Sequence, residues 1–578
     1  MIQQLDLRLL PKQAADDDFI RQEVLRQLRI DDSELTQIIQ LKRSIDARKR
    51  QPLVALRVEA YINEAPKIEA PLLNALQNLP SKPKEVIIVG AGPAGYFAAL
   101  QLIELGIKPI IFERGKGVRE RRRDLRSIQQ LGEVDPHSNY CFGEGGAGTY
   151  SDGKLYTRSK KRGNYIKILR LLVEHGAKAD ILIDAHPHIG SNKLPNIVAA
   201  IRETILKHGG EIHFYSLVTD FILEKGKMRG VVVKSLPRPS PEGSSTDAHP
   251  DPKGSPTDAH PSPKGSPTDA HPDPKGSPTQ EVKGGGSPLG VRGEKEHFAD
   301  AVILATGHSA RDVFYLLEKN KIHIEAKAFA LGVRIEHEQS LIDDIQYHGT
   351  ERGEHLPASS YKLVSQVEGR GVFSFCMCPG GLVVPSATAP GEIVVNGMSM
   401  SKRDSRFANS GTVVAVETED LRAYQKYGVF AGLEFQKKVE QMMFAAGNGS
   451  QQAPAQRLTD FSNGRHSKTL NETSYIPGLF SAPLHRLLPK SISQRLRKGV
   501  RQFDQKMRGY YTETANVIGV ESRTSSPIRI PRVRETYMHA GTEGLFPCGE
   551  GAGYAGGILS AAIDGQNVAK AVAEFVKK

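Results

Sequence analysis

The sequence has few cysteines for its length and no uninterrupted apolar run long enough to cross a membrane. Its 578 residues include only 4 cysteines, which excludes a scaffold held together by disulfides. The longest apolar stretch, 86–103, contains glycines and a proline. That composition favours a strand, a tight turn and a helix over a membrane span. The N-terminus lacks an apolar run behind a basic start, so we expect no signal peptide and a cytoplasmic protein with no membrane partner.

Charge is also not extreme. Lysine and arginine number 77 and aspartate and glutamate 65, which gives a net charge of +12. Over this length the excess permits an anionic ligand or partner without indicating one. Hydrophobic residues make up 39% of the chain, enough to build cores and to exclude a wholly disordered protein.

One segment, 237–281, lacks valine, isoleucine, leucine, methionine, phenylalanine, tyrosine and cysteine altogether. It repeats with a period of eleven residues, visible at His249, His260 and His271. Such a segment cannot bury enough surface to offset its chain entropy, so we predict a disordered insertion in a loop. The repeated histidines are too far apart for a defined metal site, and we expect no resident metal.

The first 80 residues form a separate small α/β module. We predict helices over 19–28 and 33–50 and a strand over 53–62, where apolar residues alternate. A basic cluster lies in this module, made of Lys42, Arg43, Arg48, Lys49 and Arg50. Clustered basic residues without interleaved aromatics are more typical of a solvated face than of an RNA-binding surface. Nucleic acid is therefore an improbable but open partner.

The strongest motif follows the linker at 80–83. A strand over 86–89 leads into a G-x-G-x-x-G sequence, then a helix and a second strand, which together predict a βαβ unit. The first glycine permits the tight turn, the second lets the backbone approach a pyrophosphate, and the third lets helix and strand pack closely. The helix N-terminus offers N–H groups to phosphates. The candidate ligands here are Gly90, Gly92, Pro93, Ala94 and Gly95.

An acidic residue stands where a dinucleotide fold needs one. Glu113 ends the second strand and is placed to accept hydrogen bonds from ribose hydroxyls, which favours a nucleotide without a 2′-phosphate. Arg114 beside it is a candidate to stack on adenine. Arg121, in a dense run of arginines, is a candidate phosphate ligand. For most of that run a solvated helix face is the plainer interpretation.

Two further motifs follow later in the chain. A buried-type strand over 301–304 ends in the small-residue turn Ala305, Thr306 and Gly307. Near the C-terminus a strand over 545–547 runs through Cys548 into an acidic residue and a glycine-rich helix start. Its backbone N–H groups could face a phosphate or the flavin pyrimidine ring. The candidate ligands there are Gly549, Glu550, Gly556, Gly557 and Ile558.

In this order and spacing the three motifs resemble the two-dinucleotide-binding-domain flavoprotein superfamily, which binds FAD. A closer resemblance is to a bacterial family described only as FAD-dependent dehydrogenases or FAD-dependent proteins. It rests on the strings CFGEGGAGTYSDGKL (141–155), ATGHSARD (305–312), FCMCPGG (375–381), NGMS (396–399) and SPIRIPR (526–532). By this resemblance the glycine-rich loop lies along the cofactor, with Gly146, Gly148 and Thr149 as contacts. Val218 joins the expected cofactor-binding set.

The resemblance implies an α/β fold: a Rossmann-like FAD-binding domain of the glutathione-reductase type, an inserted mixed α+β substrate domain and the small N-terminal α/β module. We expect the module over 1–80, the first part of the FAD-binding domain over 81–325, the inserted domain over 326–520 and the C-terminal part over 521–578. An NAD(P)H reductant, if used, would dock transiently, because no other βα turn carries a full fingerprint.

Residues for substrate and catalysis are less defined. Arg334, Arg403 and Arg529 are candidate clamps for an anionic substrate, because a guanidinium forks onto a carboxylate. Cys376 and Cys378 would lie on one side of a regular strand, where a disulfide between them would be strained, so two free thiols are the plainer expectation. No catalytic base can be assigned.

Three functions remain open. The first is an FAD-dependent oxidoreductase, a dehydrogenase or reductase, in which the flavin transfers hydride to or from an unknown small molecule, for which the charge balance permits an anion. The second is an RNA-associated flavoprotein that uses the basic N-terminal module. The third is a non-catalytic flavin binder. The first is favoured because three separate motifs agree on the cofactor.

Overall fold

A computed structural model describes residues 1–67, 69–156, 163–238 and 293–578. Apart from its first two residues, the predicted repeat insertion over 237–281 lies outside these ranges. The helices are α1 (Pro11–Ala14), α2 (Asp17–Leu28), α3 (Pro93–Glu104), α4 (Val118–Gln130), α5 (Tyr165–Glu174), α6 (Leu194–Lys207), α7 (Arg311–Lys319), α8 (Gln339–Gln346), α9 (Ala431–Ala446), α10 (Leu458–Asn463), α11 (Leu484–Leu487), α12 (Lys490–Lys506) and α13 (Ile558–Val576).

The strands begin in the N-terminal module and end near α13. They are β1 (Ile2–Leu9), β2 (Leu35–Asp46), β3 (Leu53–Ile62), β4 (Glu85–Val89), β5 (Lys108–Phe112), β6 (Glu211–His213), β7 (Ser216–Glu224), β8 (Lys227–Ser235), β9 (Lys295–Phe298), β10 (Ala301–Leu304), β11 (Glu325–Ala326), β12 (Phe329–Glu338), β13 (Val364–Val367), β14 (Arg370–Cys378), β15 (Gly381–Pro385), β16 (Val395–Ser399), β17 (Phe407–Val416), β18 (Ala453–Arg457), β19 (Leu479–Ser481), β20 (Asn516–Glu521), β21 (Ile528–Arg529) and β22 (Leu545–Pro547).

The N-terminal module is an antiparallel sheet in the order β1-β3-β2, with α2 packed on it through Ile20 and Val24. The predicted helix over 33–50 is wrong, because most of that stretch is β2. Its β-branched residues Thr36, Ile38 and Ile39 suit a strand, and β2 pairs with β3 along most of its length. The predicted α2 and β3 are confirmed.

A parallel sheet in the order β22-β10-β4-β5-β6 forms the centre of the cofactor-type domain. The predicted βαβ unit is confirmed, since β4 and β5 pair in parallel and α3 connects them. α3 and α13 pack together on one face of the sheet with a large apolar core. Chain segments more than 200 residues apart thus end side by side at the carboxyl edge of one sheet.

A second sheet is built from the chain between β10 and β22. Its order is β13-β14-β17-β12-β20-β18-β19, and its main core contains Val333, Val414 and Phe503. The sequence pattern predicts strands near 328–335, 371–378 and 392–396 and a helix over 421–446. The first two strands correspond to β12 and β14, β16 begins only at Val395, and the helix is regular only from Ala431 onward. In the described part of the chain, none of the helices combines the length and the apolar character that crossing a membrane requires.

Candidate cofactor site

A cavity of about 410 Å³ lies where the carboxyl ends of β4, β5, β10 and β22 meet the second sheet. Ligands bind at this edge in open α/β sheets, and the volume is typical of small-molecule and cofactor sites. One wall consists of turns that follow the parallel strands. The opposite wall includes Cys376 of β14, Asn396 of β16 and Glu521 of β20. The cavity therefore joins the two sheets.

The first turn around the cavity is the predicted glycine motif. Gly90 adopts a φ of +106°, and a Cβ added there would lie 3.0 Å from the carbonyl oxygen of Ala305. A Cβ at Gly95 would lie 2.1 Å from the carbonyl oxygen of Gly90, so this glycine lets helix and turn pack. Gly92 differs: no described atom lies within 4 Å of the corresponding position. Gly92 therefore opens onto the cavity, as backbone approach to a ligand requires.

Two helices point their N-termini at this space. Gly92 is the N-cap of α3 and Gly557 the N-cap of α13, and no described side chain caps either one. Both residues line the cavity, together with Gly556, where an added Cβ would again meet no described atom within 4 Å. Uncapped helix N-termini present free N–H groups and a positive dipole end. Two of them in one cavity form a site suited to a bridging anion such as a pyrophosphate.

Glu113 lines the cavity but is already engaged by the backbone. One carboxylate oxygen accepts the N–H of Ala91 at 2.9 Å, and the other accepts those of Gly115 and Gly143 at 2.9 and 3.0 Å. Glu113 is only 6% exposed. A carboxylate offers about four acceptor positions, so one remains for a ribose hydroxyl. The predicted ribose role thus stays a prediction, and the observed role is to hold three turns in place.

The glycine-rich loop is fixed by a glutamate that the sequence analysis did not single out. Glu144 is fully buried and accepts the Tyr96 hydroxyl at 2.9 Å and the Arg202 guanidinium at 2.7 Å. Burial raises the pKa of Glu144, and the Val118 N–H and Arg202 oppose that rise. Thr149, proposed as a cofactor contact, is turned inward and donates to the Glu144 carbonyl oxygen at 3.0 Å.

Most of the predicted cofactor residues converge on the cavity. Those that line it are Gly90, Gly92, Pro93, Ala94, Glu113, Arg114, Gly146, Gly148, Val218, Ala305, Thr306, Gly307, Glu550, Gly556, Gly557 and Ile558. Arg114 lies over the Phe142 ring at 4.6 Å and pairs with Asp312. Gly95 and Gly549 pack against protein atoms behind this lining.

Arg121 is not placed to bind phosphate. It is fully buried and donates to the carbonyl oxygens of Asn139, Glu144 and Tyr140 at 2.8, 2.8 and 2.9 Å. All of its nitrogens are thereby committed to the backbone of the glycine-rich loop. Its prediction as a cofactor ligand is replaced by a structural role, while the rest of the arginine run includes the exposed Arg122 and Arg123 of α4.

The three arginines proposed to clamp an anionic substrate do not line the cavity. Arg334 is fully buried and pairs with Glu521 at 2.8 Å, and Arg403 forks onto Asp152 at 3.2 and 2.5 Å. Arg529 is exposed and lies over the Tyr554 ring at 5.0 Å. An arginine already paired with a carboxylate has little capacity left for a substrate anion. Arg334 and Arg403 are therefore committed to carboxylates of the chain and do not act as clamps. Arg529 lies outside the cavity without a carboxylate partner among the described residues, and its substrate role stays a prediction.

Several polar cavity residues were not predicted, although three of them lie inside the family-like strings. Asp152 and Lys154 follow the glycine-rich loop, and their side chains lie 3.3 Å apart. Burial raises the pKa of Asp152, but Lys154 and Arg403 outweigh it and set that pKa at about 2. His308 Nδ1 lies 3.3 Å from a carboxylate oxygen of Glu550. Two acids and two bases thus face the cavity in neighbouring pairs.

A buried ion network joins the two sheets next to the cavity. Glu440 of α9 accepts from Arg311 at 2.9 Å and from Arg523 at 2.8 Å, and Glu392 contacts the same two arginines at 3.3 and 3.0 Å. Arg523 itself lines the cavity. Burial, followed by repulsion from Glu440, raises the pKa of Glu392 to about 7.

This raised pKa makes stability depend on pH near neutrality. Because the folded state binds a proton on Glu392 that the unfolded chain has released above about pH 4.5, the associated stability is lost as pH rises through about 7. We expect the Tm of the wild type to fall between pH 6 and pH 8 more steeply than that of Glu392→Gln. Thermal unfolding followed by circular dichroism measures both slopes. Glu434→Gln on α9 should keep the wild-type slope, and equal slopes in all three proteins would contradict the assignment.

Comparisons with known proteins give a family match and a full-length relative. Residues 328–524, which span the second sheet, match the family "FAD-dependent protein, C-terminal domain-like", and residues 1–61 match a domain of unknown function. A Clostridium beijerinckii protein named "Uncharacterized protein" is 35% identical over 582 residues, covering 97% of each chain.

Two solved structures show a weak likeness. The flavin-dependent brominase Bmp2 is 12% identical with a TM-score of 0.35, covering 86% of this chain and 80% of its own. CtdE in complex with FAD is 12% identical with a TM-score of 0.31, covering 86% and 88%. Likeness at this level supports no inference about substrate or reaction. The family match supports FAD as the cofactor, and the chain belongs to the same family as the Clostridium beijerinckii protein, with an FAD-dependent protein C-terminal domain over its second sheet.

Proposed function

We propose that the chain is an FAD-dependent oxidoreductase that acts on a small molecule. The observation that carries this proposal is the pair of uncapped helix N-termini in one cavity at the carboxyl edge of the parallel sheet. Open space at Gly92, Gly307 and Gly556, where side chains would otherwise project, fits a cofactor backbone lying against the protein backbone. The proposal includes the parallel sheet as a FAD-binding domain of the glutathione-reductase type.

Each group of cavity residues has a task in this proposal. The turns at 90–95 and 556–558 would hold the pyrophosphate, and Glu113 with Arg114 would hold the adenosine end. FAD, when bound, supplies hydride transfer. The second sheet, as an inserted substrate domain, would cover the opposite side and exclude water. His308 and Glu550, 3.3 Å apart, are the candidates to hold or move a proton at His308 Nδ1.

The alternative of an RNA-associated flavoprotein has less support. Within the basic N-terminal cluster, Arg43 is paired with Asp184 at 2.8 Å and Arg48 with Asp46 at 2.6 Å. Arginines neutralised within the chain contribute little to phosphate binding. No observation favours the non-catalytic flavin binder, and any turnover would exclude it.

Gly92→Ala tests the proposal with little risk to the fold. The new methyl group meets no described atom within 4 Å, and φ at Gly92 is −79°, which alanine adopts freely. We expect the free energy of unfolding of the flavin-free protein to change by less than about 1 kcal/mol, since only the N-cap preference is altered. FAD affinity should fall at least about tenfold, because the methyl group occupies the space for the pyrophosphate.

The measurement is flavin absorbance of the purified protein and FAD titration of the stripped protein. Gly293→Ala, at an open glycine outside the cavity, is the matched control and should bind FAD like the wild type. Reduction of the bound flavin by NADH, NADPH or pooled metabolites then identifies the electron donor. A purified wild type that contains no flavin and takes up none would overturn the proposal.

A further inference from the structure

Two cysteines lie on the side of the cavity that the second sheet forms, where the backbone conformation is unusual. The pairing of β14 with β17 is regular up to Phe375 and shifts before Cys378. Between them Cys376 adopts a φ of +47°, a left-handed conformation that non-glycine residues rarely take. The sequence analysis expected a regular strand with both thiols on one side. Instead Cys376 is exposed and lines the cavity, whereas Cys378 is fully buried.

The Cys378 thiol contacts the backbone of Cys376 and a cation. Cys378 Sγ donates to the carbonyl oxygen of Cys376 at 3.3 Å. Lys154 Nζ lies 3.8 Å from Cys378 Sγ and also lines the cavity. The fully buried Arg334 adds a second positive charge to this group. The cluster is therefore a dithiol held between two cations, with one thiol open to the cavity.

The contacts make the two thiols unequal. Interaction with the Cys378 side chain lowers the pKa of the Cys376 thiol, and Lys154 and Arg334 lower it further against the opposing effect of burial. The same interaction, and then burial, raise the pKa of Cys378. An accessible thiolate beside a protonated second thiol is the arrangement found in redox-active cysteine pairs. The other two cysteines differ: Cys548 is fully buried, and Cys141 contacts serine oxygens of Ser309 and Ser386.

We propose that Cys376 and Cys378 form a redox-active pair that accepts two electrons from the reduced flavin. This inference rests on the proposed function, which places FAD in the same cavity. In the oxidised state the two sulfurs share a disulfide. On taking two electrons and one proton from the reduced flavin, the disulfide would break into the Cys378 thiol and the Cys376 thiolate, and the flavin would return to its oxidised form. Lys154 and Arg334 stabilise the thiolate that forms.

The spacing of the cysteines supports a catalytic rather than a structural disulfide. A bridge across a single intervening residue is strained, and strained disulfides are the readily reduced ones. In an extended strand the Cys376 and Cys378 side chains would be spaced apart along the strand. The left-handed conformation at Cys376 interrupts that extended spacing.

Thiol counting on the holoprotein tests the pair without any substitution. The air-oxidised protein is unfolded without reductant, alkylated and weighed by mass spectrometry. Of the 4 cysteines, we expect the two outside the pair to be alkylated, and all of them after anaerobic reduction. Anaerobic dithionite titration should then consume about twice as many electron equivalents per flavin in the wild type as in Cys378→Ser, because the disulfide adds a second two-electron couple.

Cys141→Ser is the matched control, since it removes another thiol that lines the same cavity. It should keep the full electron capacity and lose only one alkylated thiol. The proposal is overturned if the oxidised holoprotein retains every thiol free, or if wild type and Cys378→Ser take up equal numbers of electrons. Flavin content, read by absorbance in the same samples, reports separately on the proposed function, so failure of the cofactor and failure of the pair are distinct results.

Discussion

Replacing Glu113 with glutamine is expected to weaken FAD binding and to lower the thermal stability of the protein. The Glu113 carboxylate accepts three backbone N–H groups at 2.9–3.0 Å and is 6% exposed. Glutamine has one acceptor oxygen and an NH2 group, so at least one buried N–H loses its acceptor. Leaving a buried donor unsatisfied costs about 1–3 kcal/mol, and hydrogen bonds to a charged group contribute about 1.5–3 kcal/mol each.

We therefore expect the free energy of unfolding to fall by about 3 kcal/mol. In a chain of 578 residues this corresponds to a fall in Tm of about 2–3 °C, because the entropy of unfolding scales with length. The FAD dissociation constant should rise at least about tenfold, because the turns at Ala91 and Gly143 shift and a ribose acceptor is lost. Calorimetry and FAD titration measure the two effects. Glu574→Gln, at an exposed residue of α13, should change neither. A lower Tm with unchanged FAD affinity would restrict Glu113 to a structural role.

The glycine motifs predicted the cofactor end of the cavity because each motif depends only on residues that are close together in the sequence. A tight turn, a close helix and an open N-terminus all require glycine at fixed positions, as Gly90, Gly95 and Gly92 illustrate. The carboxyl ends of parallel strands meet at one edge of a sheet, so three such motifs far apart in the chain could be expected to converge. β4, β10 and β22 do so.

The arginines could not be assigned from sequence because their partners lie far away along the chain. Arg403 meets Asp152 across 251 positions and Arg334 meets Glu521 across 187. An isolated arginine in a motif looks the same whether it faces a ligand or a buried carboxylate. The helix predicted over 33–50 failed for a related reason, because pairing with β3 decides the conformation of β2.

The arrangement of the two thiols could not be predicted from the sequence either. Alternation along a strand places residues 376 and 378 on one side, yet the register shift after Phe375 and the φ of +47° at Cys376 break the alternation. A β-bulge of this kind is common beside functional sites but leaves no fixed signature in the sequence. The string FCMCPGG indicated a family-like segment and gave no sign of its backbone conformation.

Removing the charge of Glu440 is expected to be among the most damaging single changes to the fold. Glu440 is fully buried and pairs with both Arg311 and Arg523, and it accepts the Ser522 hydroxyl at 2.6 Å. Burial raises the pKa of Glu440, but the two arginines outweigh that effect and hold it well below its usual value. Glu440→Gln keeps the shape and leaves two buried guanidinium groups to share Glu392 alone.

Breaking a buried ion pair from one side costs about 3–5 kcal/mol, since the remaining charge is left uncompensated. We expect Glu440→Gln to lower the free energy of unfolding by that amount. Because Arg523 lines the cavity, the variant should also retain FAD less well. Glu434→Gln makes the same chemical change six residues earlier on α9. The Glu434 side chain is half-buried and pairs with Tyr315, so this substitution should lower the free energy of unfolding by less than about 1 kcal/mol. Denaturant unfolding of the three holoproteins, with flavin release recorded in parallel, compares them. If Glu440→Gln unfolds at the same denaturant concentration as Glu434→Gln, the network does not hold the two sheets together, and their contact must depend on apolar packing instead.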